Sequence, residues 1–306
     1  MAVVAPVQEI DFWRWVPHPE VWVLVVSVIG LYVYAARVIG PKVVPRGTPA
    51  VTRSQRRWFI LGVLLLWLAS DWPVHDIGEE YLYLVHMIQH TVLTLVMPPV
   101  MLMATPEWLA RLVLGTGRAD RWVRKLARPV PAALIFNALA LLIHAQFMVN
   151  TASSNALFHY SLHTALVASA LLLWMCVCGP LPELRIPIPG QMIYLFVTSL
   201  VPTVPGAWLV FAEGAVYRVY DIPQRMFGIS VTTDQQVAGV IMKLGAGTYL
   251  WVIITGLFFR WSAQNERESR DAAVARRRAA QELLTFDDVA DEFERHPAPP
   301  VEQPHP

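Results

Sequence analysis

Charge is scarce in this sequence. Only 15% of its 306 residues are Asp, Glu, Lys or Arg, and the formal net charge is +1. No global field therefore points to nucleic acid as a partner. Cysteine is scarcer still, with Cys176 and Cys178 the only two. They stand too close in sequence to staple distant parts of a chain, so there is no disulfide framework. A cleavable leader is not expected either. Residues 1–20 contain Asp11, Arg14 and several prolines, and lack a basic start followed by an apolar stretch.

What fills the sequence is apolar. Hydrophobic residues make up 55% of the chain and the mean hydropathy is +0.44, which belongs to an integral membrane protein. Apolar segments recur at 21–39, 58–70, 81–104, 130–149, 160–178, 192–211 and 237–259. The second is short and is expected to extend into its flanks, since about 20 residues cross the hydrocarbon core. The expected fold is an all-α integral membrane protein, a seven-transmembrane helical bundle. Helices satisfy their own backbone groups, as lipid requires.

The basic residues assign an orientation. Alternate compartments hold 20 and 3 of the Lys and Arg residues, and Lys243 remains inside a span. By the positive-inside rule the N-terminus is outside and the C-terminus cytoplasmic. This gives an outer segment 1–20, a membrane domain 21–260 and a charged cytoplasmic tail 261–306. In the tail, Arg276-Arg277-Arg278 suits anionic membrane lipids. A short helix is expected at 279–293, and the Pro-rich end reads as disordered. Trp58, Trp72, Trp208 and Trp261 are placed as interface anchors.

The histidines then form a pattern. Of nine, seven precede the tail and none of those falls in an expected cytoplasmic loop. His18 and His75 lie in outer segments. His86 and His90 share one helix face in the third span, and His159 and His163 do so at the start of the fifth. With a rise of about 1.5 Å per residue, His86, His144 and His163 all lie roughly 5–9 Å below the outer ends of their spans. His90 is expected one turn deeper and His159 one turn shallower.

A lone membrane histidine is most simply a packing residue. Five at matched depth suit a metal or proton function, and neutral imidazole binds copper, zinc and iron. Met87 and Met242 are candidate thioether ligands, which would tilt the choice toward Cu(I). Asp234, Gln235 and Gln236 are expected either to orient a ligating imidazole or to cap the last span. Cys176 and Cys178 are read as packing groups, with a cytoplasmic copper pair as the alternative. Lys243 is expected to be buried, where it could snorkel, pair with Glu213 or Asp234, or act chemically.

Specific motifs accompany these positions. His86-Met87-x-Gln89-His90 is followed by Pro98-Pro99 and Ala104-x-Pro106 and preceded by Gly78-Glu79-Glu80. His144 ends a span containing Asn137, and His159-x-x-x-His163 opens the next, with Trp174 and Pro180 near its end. Asp234-Gln235-Gln236-x-Ala238-Gly239-x-x-Met242 opens the last. Over residues 58–259 the chain resembles the CtaG family of cytochrome c oxidase assembly proteins. It departs from that pattern at Ala145-Gln146-Phe147, where the family commonly has a proline, and at Lys243.

The resemblance implies a multi-pass protein of the bacterial cytoplasmic (inner) membrane that assists haem-copper oxidase assembly and is not an enzyme. It implies copper handling for the CuB centre, with the oxidase subunit and an extracytoplasmic copper donor as partners. The ligand set would be His86, His90, His144, His159 and His163 with Met87 and Met242, supported by Gln89, Asp234, Gln235 and Gln236. Depth alone orders them, with His159 at the mouth, His86, His144 and His163 as the main layer, and His90 below. Two alternatives stay open. One is a haem-binding cytochrome with axial histidines from different spans, and the other a retinal-type photoreceptor or pump using Lys243.

Overall fold

The computed structural model describes residues 11–282 and 286–295, and every regular element among them is helical. Six helices are long and apolar enough to cross a membrane: Pro19–Val43, Arg53–Glu80, Tyr83–Ala104, Ala156–Cys178, Ile188–Val210 and Val231–Ala280. A seventh is reached if Arg118–Leu126 and Pro129–Ile143, bent by 80° at their junction, count as one. This is a multi-span helical membrane protein. The chain divides into two compact units after Ile254.

Several spans differ from the sequence expectation. The second runs from Arg53, where Thr52 and Gln55 form a capping box. After Ser70 the chain turns at Asp71, whose carboxylate accepts from Trp22 Nε1 (2.8 Å) and Trp67 Nε1 (2.6 Å), and resumes as Val74–Glu80. The fourth ends at Ile143, six residues earlier than expected, and Gln146–Ser154 forms a separate helix. The fifth starts at Ala156, with Asn155 accepting from Phe158 N, so His159 lies inside the helix. The sixth is interrupted at Val201-Pro202. The last helix, Ala246–Glu282, runs beyond 259 into the charged sequence. A separate helix, Phe286–Arg295, follows, in place of one helix over 279–293. The disordered end expected beyond it lies outside the described residues.

The third span carries a local irregularity with a clear cause. Pro98 and Pro99 lack the N–H groups that would bond Thr94 and Leu95 in α register, and Val92–Val96 widens into a π turn just before them. The freed Thr94 carbonyl accepts from Trp174 Nε1 of the fifth span at 3.3 Å. A proline-induced defect thus becomes a contact between the two spans that carry the histidine pairs.

The sixth and last spans cross closely through glycine. A Cβ at Gly239 would lie 2.6 Å from the Gly206 carbonyl, and one at Gly206 would lie 2.9 Å from the Gly239 carbonyl. Small residues let membrane helices approach to this degree. Next to that crossing, Tyr83, Met87, Leu209, Tyr217, Tyr220, Ala238 and Met242 pack as one buried cluster.

Candidate metal centre

The histidine-bearing helix is positioned from the far end of the sequence. The first N–H groups of a helix lack internal partners, and Tyr83–Thr91 has no cap of its own. Asp234 supplies it, accepting from Tyr83 N (2.8 Å) and Leu84 N (2.9 Å). A carboxylate there also complements the helix dipole. The short helix Val74–Glu80 folds back onto the same end. A Cβ at Gly78 would meet His86 N at 3.0 Å, so a larger residue would push the two helices apart by a few tenths of an ångström. Tyr220 Oη donates to the Gly78 carbonyl (3.2 Å) and secures the turn.

These elements bring four imidazoles together. Ring centroids are 4.4 Å apart for His86 and His90, 4.5 Å for His90 and His163, and 4.4 Å for His159 and His163. One nitrogen each from His86, His90 and His163 lie within 4.8 Å of one another. Ligands at about 2.0–2.1 Å around a trigonal or tetrahedral metal stand about 3.3–3.6 Å apart, so small side-chain adjustments close this set. His90 follows His86 by one turn of the same helix, and its ring still reaches both His86 and His163.

A fifth partner is a carboxylate. Glu79 Oε1 lies 2.9 Å from His86 Nδ1 and 3.1 Å from His159 Nε2. These are hydrogen-bond distances without hydrogen-bond directions. All three atoms remain buried without a hydrogen-bond partner, as do the Nε2 atoms of His90, His144 and His163. Buried polar atoms are normally satisfied, so six such atoms around one cavity are the chemistry of a binding site. The cavity has a volume of about 60 Å³, and the five histidines and Glu79 all line it.

His144 faces this cavity but joins neither three-residue ligand set. Its Nδ1 donates to the Ala140 carbonyl at 2.6 Å, which leaves Nε2 with a free lone pair. Tyr217 Oη fixes the turn by donating to the His144 carbonyl at 2.7 Å. Met87 lines this cavity and a neighbouring apolar one of about 70 Å³, whereas Met242 lines only the second.

The expected supporting residues act differently from the sequence reading. Asp234 touches backbone, not imidazole, and Ser230 caps its own helix. Gln235 accepts from Val216 N and Tyr217 N and donates to the Tyr217 carbonyl. Gln236 donates to the Ala212 carbonyl. Together they tie the outer loop to the last span. Gln89 does meet an imidazole, that of His75, at 3.2 Å. Lys243 lies within the last span and points away from the other helices, which leaves it able to snorkel, and Asp234 is committed to the third span. Cys176 donates to the Ala127 carbonyl at 3.0 Å, and both cysteines are free thiols in packing positions.

Outside the spans, His18 braces the outer surface. Its nitrogens lie 2.9 Å from Asp76 and 3.2 Å from Glu20. Burial works against its charge, but the Asp76 and Glu20 carboxylates outweigh it and hold the imidazole above its ordinary value of 6.5.

The model of the cytochrome c oxidase caa3 assembly factor family (Caa3_CtaG) matches residues 30–264 of this chain. The chain belongs to that family. Caa3_CtaG proteins are assembly factors, and the matched region contains every residue of the cavity. No curated protein and no solved structure matches the chain. In this Caa3_CtaG member the sequence reading missed Glu79 as part of the site. The signal available was an acidic pair, Glu79-Glu80, seven residues before a histidine in an apolar run.

Proposed function

We propose that this assembly factor binds Cu(I) through His86, His90 and His163 and assists copper insertion into the CuB centre of a haem-copper oxidase. The observation that carries the reading is the convergence of those three imidazoles, with nitrogens within 4.8 Å of one another, in a buried cavity. Three neutral imidazoles suit a monovalent cuprous ion, which asks for little charge compensation. The nearby thioether of Met87 adds a soft donor at the cavity wall.

The chain's role is to hold and release an ion, and no bond-making step is assigned to it. His144, with its free Nε2 facing the same cavity, offers an exchange ligand. Copper would arrive from an extracytoplasmic donor, a direction that the excess of basic residues in alternate loops supports by favouring a cavity in the outer half of the membrane. It would leave laterally toward an oxidase subunit. The four crowded rings, 4.4–5.9 Å apart, leave no slot for a haem plane between them. The exposed Lys243 does not suit a retinal pocket.

The test is the double variant His86→Ala/His163→Ala expressed in place of the parent. The expected result is loss of copper from the purified protein together with an oxidase deficient in CuB. Unchanged copper content and unchanged oxidase assembly would refute the reading.

A further inference from the structure

Glu79 and His159 are not needed for the triad, yet both are built into the cavity. Glu79, His159 and His163 form a second set whose ligand atoms lie within 4.8 Å of one another. The two sets share His163 and differ in charge. A neutral three-imidazole site buried among apolar spans leaves a divalent ion's charge uncompensated, which is costly. A carboxylate with two imidazoles offsets one charge and offers a harder oxygen donor, the combination that zinc and other divalent first-row ions take.

We propose that Glu79, His159 and His163 form a distinct outer station for a divalent first-row cation. It rests on the copper reading only for the occupant of the inner triad. His163 is the residue both sets require, so it serves as the switch ligand, and filling one station weakens the other. The placement of Glu79 suits this role. Gly78 allows its helix to stand against His86, and Tyr220 holds that turn. Glu79 Oε1 is left 2.9 Å and 3.1 Å from two imidazole nitrogens without a hydrogen bond to either. A cation held at this station would satisfy Glu79 Oε1, His159 Nε2 and the likewise unpartnered Nε2 of His163.

The experiment titrates the full-length purified protein with Zn²⁺ by calorimetry and with Cu(I) by competition against a chromogenic chelator. Expected for the parent is one tight Zn²⁺ site that weakens at least tenfold once the protein is preloaded with Cu(I). Glu79→Gln should lose at least tenfold in Zn²⁺ affinity and keep its Cu(I) affinity within about threefold. His159→Gln should behave likewise, which guards against a folding defect peculiar to one variant, and His90→Ala should do the reverse. The proposal is overturned if Glu79→Gln and His159→Gln bind Zn²⁺ as the parent does. It is equally overturned if each variant loses both metals together, as a single site would. A parent that binds Zn²⁺ through Glu79 but takes up no Cu(I) would leave this station standing and refute the copper reading alone.

Discussion

At the scale of single residues, the site is a set of lone pairs held apart from the partners they would otherwise choose. His144 shows the device most plainly, since its Nδ1 is spent on Ala140 and its Nε2 is thereby kept free. His18 is the opposite case, with both nitrogens engaged by carboxylates. Its folded value is raised, so the brace contributes fully below the ordinary 6.5 and is lost as pH rises through the raised value. The groups facing it are Asp76, Glu20 and Asp71, with the His75 ring edge-on at 5.0 Å. Thermal unfolding of detergent-solubilised protein should show His18→Gln less stable than the parent at pH 6, with the gap closing by pH 9. A gap that is constant across that range would contradict the ion-pair account.

At the scale of elements, two positions hold the third span in place. Asp234→Ala removes the acceptor for two backbone donors and should cost about 1–2 kcal/mol, read as a lowered melting temperature. Because the same helix presents His86 and His90, metal affinity should fall with it. Gly239→Ala places a Cβ against the Gly206 carbonyl and should cost about 1–3 kcal/mol by forcing the helices apart. A variant as stable as the parent would show that the crossing is looser than 2.6 Å implies.

These elements also show what the sequence could reveal. The i,i+4 histidine pairs were legible because they are local, and a helix of known pitch puts both rings on one face. Matched depth then brought the third, fourth and fifth spans together. Glu79 was not legible as part of the cavity, since its place depends on Val74–Glu80 folding back onto the start of the third span. Asp234 was legible as a cap but not as the cap of a helix 150 residues earlier, which only tertiary structure decides. The break after Ile143 carries no Pro or Gly in sequence, so the fourth span read as too long.

At the scale of the whole molecule, delivery of copper from outside the cytoplasm requires the cavity to face outward. The 20-to-3 division of basic residues predicts an outside N-terminus and a cytoplasmic C-terminus. With Cys176 and Cys178 replaced by alanine, a cysteine at Gly214 should react with an impermeant maleimide in intact cells. One at Gly115 should react only after permeabilisation. The reverse pattern would put the cavity on the cytoplasmic side and remove the extracytoplasmic donor from the scheme.

Whether the clustered imidazoles bind copper is read from the metal content of the purified protein. The parent and a variant with His86, His90, His144, His159 and His163 all changed to alanine would be purified under reducing conditions with copper supplied. Near-stoichiometric copper is expected in the parent and background copper in a variant that still folds. Equal copper in the two proteins, or none in the parent, would contradict copper binding by these imidazoles.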